Sequence, residues 1–160
     1  MISLDRLIYK YRQSFFTKGK FFTEKMVAIV ATGPSFRSYS TGHSGIIASG
    51  KNKSGKKKSG KRKREKINKE SFKQAPELKK KLESLSKTGE IGGESIYHTS
   101  IPIGNCAEDM AALKLIIKLK NRITLKKIIF SKAVRIQTFE TIQPCCNCKS
   151  TFPFFNHGKI

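Results

Sequence analysis

The chain has 160 residues, 38% of them hydrophobic, and carries 33 Lys or Arg against 11 Asp or Glu, a formal net charge of +22. That length holds one ordinary domain with its own core and leaves no room for a second catalytic one. No apolar run approaches the roughly 18 residues of a membrane-spanning helix, which excludes such a span, while the cation excess directs attention to polyanionic partners.

Residues 1–16 predict an opening helix, because Leu4, Leu7, Ile8 and Tyr11 fall on one face and Ser3 can cap it. The segment is acid-poor with Arg6, Lys10 and Arg12, a faint transit-peptide composition, but it lacks the uninterrupted apolar stretch of a secretory signal. A soluble chain is therefore expected. Residues 26–32, Met-Val-Ala-Ile-Val-Ala-Thr, read as a buried strand ended by the Gly33-Pro34 turn. The return strand falls in 36–39 or extends toward Ile46 and Ile47. Such a hairpin would form the first edge of a sheet, with its turn and the loop after it approaching a substrate. Ser35, Arg37, Tyr39 and His43 are then candidates for base or phosphate contacts, and ordinary loop polarity is the simpler account of any one of them.

Two near-motifs in this region fail on their chemistry. Residues 45–52 are one residue away from a phosphate-binding P-loop, but Asn52 stands where a Ser or Thr should bind magnesium, and a polybasic tract follows in place of an apolar helix. Gly42-His43-Ser44-Gly45 suggests a nucleophile elbow, but Ile46 occupies the position that needs glycine.

Charge concentrates next. Residues 51–81 hold 15 Lys or Arg against 3 Glu, and 51–64 contain only Gly, Ser, Asn, Lys and Arg. With nothing apolar to bury in 51–64, residues 51–75 predict a disordered polybasic insertion within a single domain spanning 1–160. Such a tract neutralises phosphates and gives sequence-independent, salt-sensitive binding to DNA or RNA; a solvated lysine-rich loop is the alternative. Lys56-Lys57-Lys58 with Lys61-Arg62-Lys63-Arg64 also has the composition of a nuclear import signal. From Pro76 onward, Leu78, Leu82 and Leu85 recur at helical spacing and predict a short docked helix.

Cys106-Ala107-Glu108 and Pro144-Cys145-Cys146-Asn147-Cys148 together match the C-x-E … P-C-x-x-C pattern of zinc-dependent base deaminases. Asn105 is a candidate N-cap for a helix over 106–118, with acids in its first turn and lysines toward its end. Pro144 suits the opening of a second helix, so Cys145 and Cys148 lie one turn apart at another N-terminus, where unpaired amides favour thiolates. Between them, residues 128–139 predict a strand in which Val134, Ile136 and Thr138 alternate with Arg135 and Gln137. Helix, strand and helix then read as a crossover that brings the thiols to one metal. Cys106, Cys145 and Cys148 as thiolates would hold Zn2+ with a fourth position open for water, and Glu108 would carry protons as general base and then general acid.

Other uses of the thiols remain open. Adjacent Cys145 and Cys146 pair poorly as a disulfide, and the spacing fits a metal better than a framework of staples. A structural zinc site closed by His157 or Cys146 is the stronger rival. Phe152, Phe154 and Phe155 could stack on an extruded base or plug the core.

The blocks Gly104-Asn105-Cys106-Ala107-Glu108 and Pro144-Cys145-Cys146-Asn147-Cys148-Lys149-Ser150-Thr151-Phe152 resemble the signature segments of the YwqJ-like branch of the cytidine deaminase-like superfamily, known mainly as toxin modules of bacterial polymorphic secretion systems. The resemblance is sharp over residues 104–152. It implies a three-layer α/β/α cytidine deaminase-like fold, a zinc site of Cys106, Cys145 and Cys148, and Glu108 as proton carrier. Cys106 stands where many deaminases have His, and twelve residues follow Cys148, which implies a compact fold truncated at the C-terminus.

The expected function is hydrolytic deamination of cytosine or adenine, within a single-stranded or flipped-out nucleotide of DNA or RNA. By resemblance, the module is a toxin delivered into a target-cell cytoplasm and met there by an immunity protein. The alternatives are a free nucleoside or nucleotide deaminase, and a non-enzymatic nucleic-acid-binding module with a structural zinc.

Overall fold

A computed structural model describes residues 3–18, 25–44 and 69–152. The predicted opening helix is α1, Leu4–Thr17, whose inner face buries Ile8 and Phe15. Ser3 takes the N-cap position with an extended backbone, but its side chain makes no capping bond. β1, Val27–Thr32, begins one residue after the expected start, and Met26 is itself buried. β2, Tyr39–Ser44, occupies the later part of the expected window, in antiparallel register from Val27↔Ser44 to Thr32↔Tyr39. Ile46 and Ile47, the P-loop-like stretch and residues 51–68 of the polybasic insertion lie outside the described residues. Its last seven residues, 69–75, carry α2, Lys69–Phe72, and bury Phe72 and Ala75. α3, Pro76–Ser84, buries Leu78 and Leu82 as its spacing predicts, and Leu85 follows them into the core.

α4, Ala107–Lys118, is followed by a 3-10 turn at Leu125–Lys127 and then by the region expected to be one strand. It is two pieces, β3 Ile129–Phe130 and β4 Ala133–Arg135, both antiparallel to β1. The break falls at Ser131 for a local reason. Its amide donates to the Val30 carbonyl while its hydroxyl oxygen accepts the Val30 amide, so a side chain substitutes for one backbone ladder bond. The chain then turns at 136–140 and returns as β5, Thr141–Ile142, antiparallel to β4, so Thr138 lies in an exposed turn rather than in a strand. α5, Cys146–Thr151, closes the described chain.

These elements make a mixed α/β structure around a five-stranded antiparallel sheet of order β2-β1-β4-β5, with β3 also on β1. β1 is buried along most of its length because helices cover both of its faces, and its side chains divide with a period of two. Ile29 and Ala31 join α3, α4, Phe130 and Phe152 in one apolar cluster. Ala28 and Val30 join Ile8 and Phe15 of α1, with Val134 and Ile136, in the other.

Gly42 sets how closely β2 meets α4. A Cβ there would overlap the Ala107 carbonyl and stand 2.6 Å from the Ala111 amide nitrogen, both backbone atoms that cannot swing aside. Gly42→Ala is therefore expected to cost about 3 kcal/mol of unfolding free energy, the upper part of the usual overpacking range, read from denaturant midpoints.

On the opposite face, the Tyr11 hydroxyl lies 2.9 Å from His43 Nδ1, and burial lifts its pKa to about 12, against a smaller lowering by Thr41. The folded state thus prefers the neutral phenol. The stability this lends is complete below the unfolded pKa of ~10 and is lost as pH rises toward 12, with a limiting slope of about 1.4 kcal/mol per pH unit. Tyr11→Phe should lose about 2 kcal/mol less than the parent between pH 9.5 and 12, measured by urea unfolding across that range.

Candidate metal centre

Both thiol-bearing segments enter helices through a cysteine. Cys106 is the N-cap of α4, at φ −74° and ψ 152°, and Cys145 is the N-cap of α5, at φ −71° and ψ 169°. Asn105 and Pro144, expected at the N-cap and inside the second helix, each sit one residue before these caps. Placing a thiol at each cap aims it where the helix leaves its amides unpaired.

The two caps meet although 39 residues separate them. Cys106 Sγ and Cys145 Sγ are 3.5 Å apart, as are Cys145 Sγ and Cys148 Sγ, and all three sulfurs lie within 4.8 Å of one another. Bonds of ~2.3 Å to one tetrahedral ion put thiolate sulfurs about 3.8 Å apart, so the spacing suits a single metal. Cys106 and Cys148 are buried and Cys145 is half-buried. Cys146 is exposed and stands outside the group, while His157 lies beyond the described residues.

Charge within the cluster is uneven. Contacts with the Cys106 and Cys148 sulfurs, then with the Cys148 and Asn147 backbone amides, hold the Cys145 pKa far below the ordinary thiol value, against burial. The contact with Cys145, then burial, pushes Cys106 upward, and the contacts with Cys106 and then Cys145, with burial, push Cys148 upward. The cluster thus favours thiolate at Cys145, and a metal bound by all three sulfurs would displace the protons that remain.

Glu108 is buried beside them. Burial raises its pKa, and the negative Cys145 raises it further, against its own backbone amide and a hydrogen bond with Cys148. From the first turn of α4, two residues after Cys106, the carboxyl group lies close enough to the thiols for them to shift its pKa.

Two further residues complete the setting. Asp109 is fully buried, and neither of its oxygens makes a hydrogen bond of good geometry. Burial, then Glu108, pushes its pKa well up, and the Cys106 and Gly104 amides temper this. An acid three residues after an N-cap is placed to reach back to the cap amide, the carboxylate half of a capping box, and that spacing is its sequence signal. Asn147 is 1% exposed. Its Oδ1 accepts the Ser95 hydroxyl at 2.5 Å and its Nδ2 donates to Thr99 Oγ1 at 3.1 Å, tying the 95–99 loop to the cysteine turn. Nothing in the sequence marks those partners.

The hairpin candidates do not reach the thiols. α4 runs along β2 with Ala107 and Ala111 at Gly42 and Lys118 at Tyr39, where Lys118 Nζ donates to the Tyr39 carbonyl at 3.2 Å. The Gly33-Pro34 turn with Ser35, Arg37 and Tyr39 consequently sits at the C-terminal end of α4, a 12-residue helix about 18 Å long, away from Cys106. His43 faces α1, against Tyr11 and Phe15. Phe152 is a core plug, 2% exposed and edge-on to Phe130 at 4.9 Å.

Compared with protein-family models, curated proteins and solved structures, the chain finds no match. Among the described residues, no helix is long and apolar enough to cross a membrane.

Proposed function

We propose that this chain is a zinc-dependent hydrolytic deaminase of cytosine or adenine, acting on single-stranded or flipped-out DNA or RNA. We place it with the YwqJ-like toxin modules of the cytidine deaminase-like superfamily, in a compact three-layer α/β/α version of that fold. The reading rests on one observation: the Cys106, Cys145 and Cys148 sulfurs lie within 4.8 Å of one another with buried Glu108 at their side. Three soft sulfur donors suit zinc, and a site with three protein ligands keeps a position free, as catalytic zinc sites do. When bound, zinc acts as a Lewis acid that makes water nucleophilic at neutral pH.

The remaining work falls to this chain's own atoms. Burial that raises the Glu108 pKa suits a group that must accept a proton and then release it to a ring nitrogen and a departing amine. Asn147 holds the cysteine turn, and the tight Gly42 contact fixes the start of α4. The net charge of +22 delivers the enzyme to polyphosphate without choosing a base. As a toxin effector, the module acts in a target-cell cytoplasm, where an immunity protein covers the thiol site.

The deciding experiment expresses the chain in a bacterium lacking uracil repair and sequences both its genome and its RNA, with Glu108→Ala as control. C-to-T or A-to-G changes that require the carboxylate support the reading and report base and polymer together. Zinc-loaded protein that converts neither polynucleotides nor nucleosides would overturn it in favour of a non-enzymatic zinc module.

A further inference from the structure

Away from the thiols, exposed aromatic rings gather on the outer side of α1. Tyr9, Phe16 and Phe139 keep 51%, 43% and 41% of their surface open. Tyr9, Arg12 and Phe16 recur at helical spacing and share one stripe of α1, and the turn between β4 and β5 brings Phe139 alongside. Tyr9 meets Phe139 edge-on at 6.1 Å, and the Arg12 guanidinium lies 5.0 Å from the Phe16 ring centre and 5.1 Å from that of Phe139. Arg12 is held in place, because its Nε donates to the Ile136 carbonyl at 2.6 Å and its Nη2 to the Gln137 carbonyl at 3.0 Å.

Phe139 also has φ 63°, a left-handed conformation that is costly for a bulky side chain. The fold accepts this cost and still leaves the ring 41% exposed. The surroundings carry a cationic excess: residues 5–18 hold Arg6, Lys10, Arg12 and Lys18 against Asp5, Arg6 and Lys10 are exposed, and Glu140 beside Phe139 is paired with Arg135.

We propose that this patch is a stacking platform for single-stranded nucleic acid, with bases on Tyr9 and Phe139 and phosphates toward Arg6 and Lys10. The inference rests on nucleic acid being the partner in the reading above, and is independent of the chemistry at the thiols. Aromatic faces bind unpaired bases of any sequence, and a fixed arginine between rings adds a cation–π contribution. A protein partner would also use Tyr and Arg. The rim's excess of Lys and Arg over Asp5, with Glu140 already paired to Arg135, matches phosphates instead.

The test measures binding of fluorescent oligo-dT, and of its duplex with oligo-dA, to the full chain by anisotropy at fixed salt. Tyr9→Ser and Phe139→Asn are the variants, asparagine being chosen because it tolerates the left-handed backbone, and thermal melts check that each folds. Each variant should lose about tenfold in affinity for the single strand and keep its affinity for the duplex. Unchanged single-strand affinity in folded variants, as a protein-docking patch would give, overturns the platform, as does equal loss on duplex or no binding by the parent. Platform-dependent binding without Glu108-dependent turnover would leave this inference standing while the deaminase reading fell. Turnover of a mononucleoside with strand affinity indifferent to Phe139 would do the reverse.

Discussion

Glu108→Gln should abolish deamination while the protein keeps its full complement of zinc. Glutamine has nearly the volume of glutamate and fits the same buried position, 6% exposed in the first turn of α4, so packing around Cys106 and Cys148 is preserved. It cannot take a proton at neutral pH. Because every bond change on the base requires a proton to move from water to ring nitrogen and then to the leaving amine, the expected loss is about 10²–10⁴-fold in kcat, the usual range for removing a general acid–base. Metal content by elemental analysis should remain at the parent level, since the proposed donors are the three thiols. Parent-like turnover would remove Glu108 from the chemistry. Loss of zinc would instead make the carboxylate a ligand, and the open position of the site would disappear with it.

The clustering of the three thiols was legible in the sequence because its determinants are local. A thiol two residues before an acid at the start of a helix-forming run, and a proline before C-x-x-C, specify helix N-termini that carry thiols with little help from the rest of the chain. The outline of the sheet was legible for a similar reason. The run at 26–32 is apolar on successive residues because β1 is covered on both faces, and α1 declares itself through Leu4, Leu7, Ile8 and Tyr11.

What stayed hidden depends on contacts between distant segments. Alternation along 128–139 does not reveal that the Ser131 hydroxyl takes over a ladder bond and splits the strand. Nor does a hairpin pattern say which end of α4 its turn will meet. That was settled by Gly42, where only a missing side chain lets Ala107 approach, and the same packing carried Ser35, Arg37 and Tyr39 away from the thiols. Gly42 drew attention as part of an imperfect nucleophile motif, and its importance turned out to be steric.

Cys148→Ala should strip the site of metal. Cys148 has no solvent exposure and its sulfur is 3.5 Å from Cys145, so alanine leaves two thiols, a buried acid and a gap. A two-sulfur remnant binds zinc far more weakly, and stoichiometry should fall from one per chain to below about a tenth after dialysis against chelator. The loss also reaches the fold. A metal that binds only the folded chain stabilises it by about 4 kcal/mol when its free concentration is a thousand times the dissociation constant. The parent with zinc should therefore melt well above both the chelated parent and the variant, and added zinc should rescue only the parent. Cys146→Ala supplies the contrast. That thiol is exposed and outside the cluster, so the variant should keep zinc and melting temperature together. If instead Cys146→Ala released the metal, the ion would be held by four sulfurs in a closed structural site, and no position would remain for the water that hydrolysis requires.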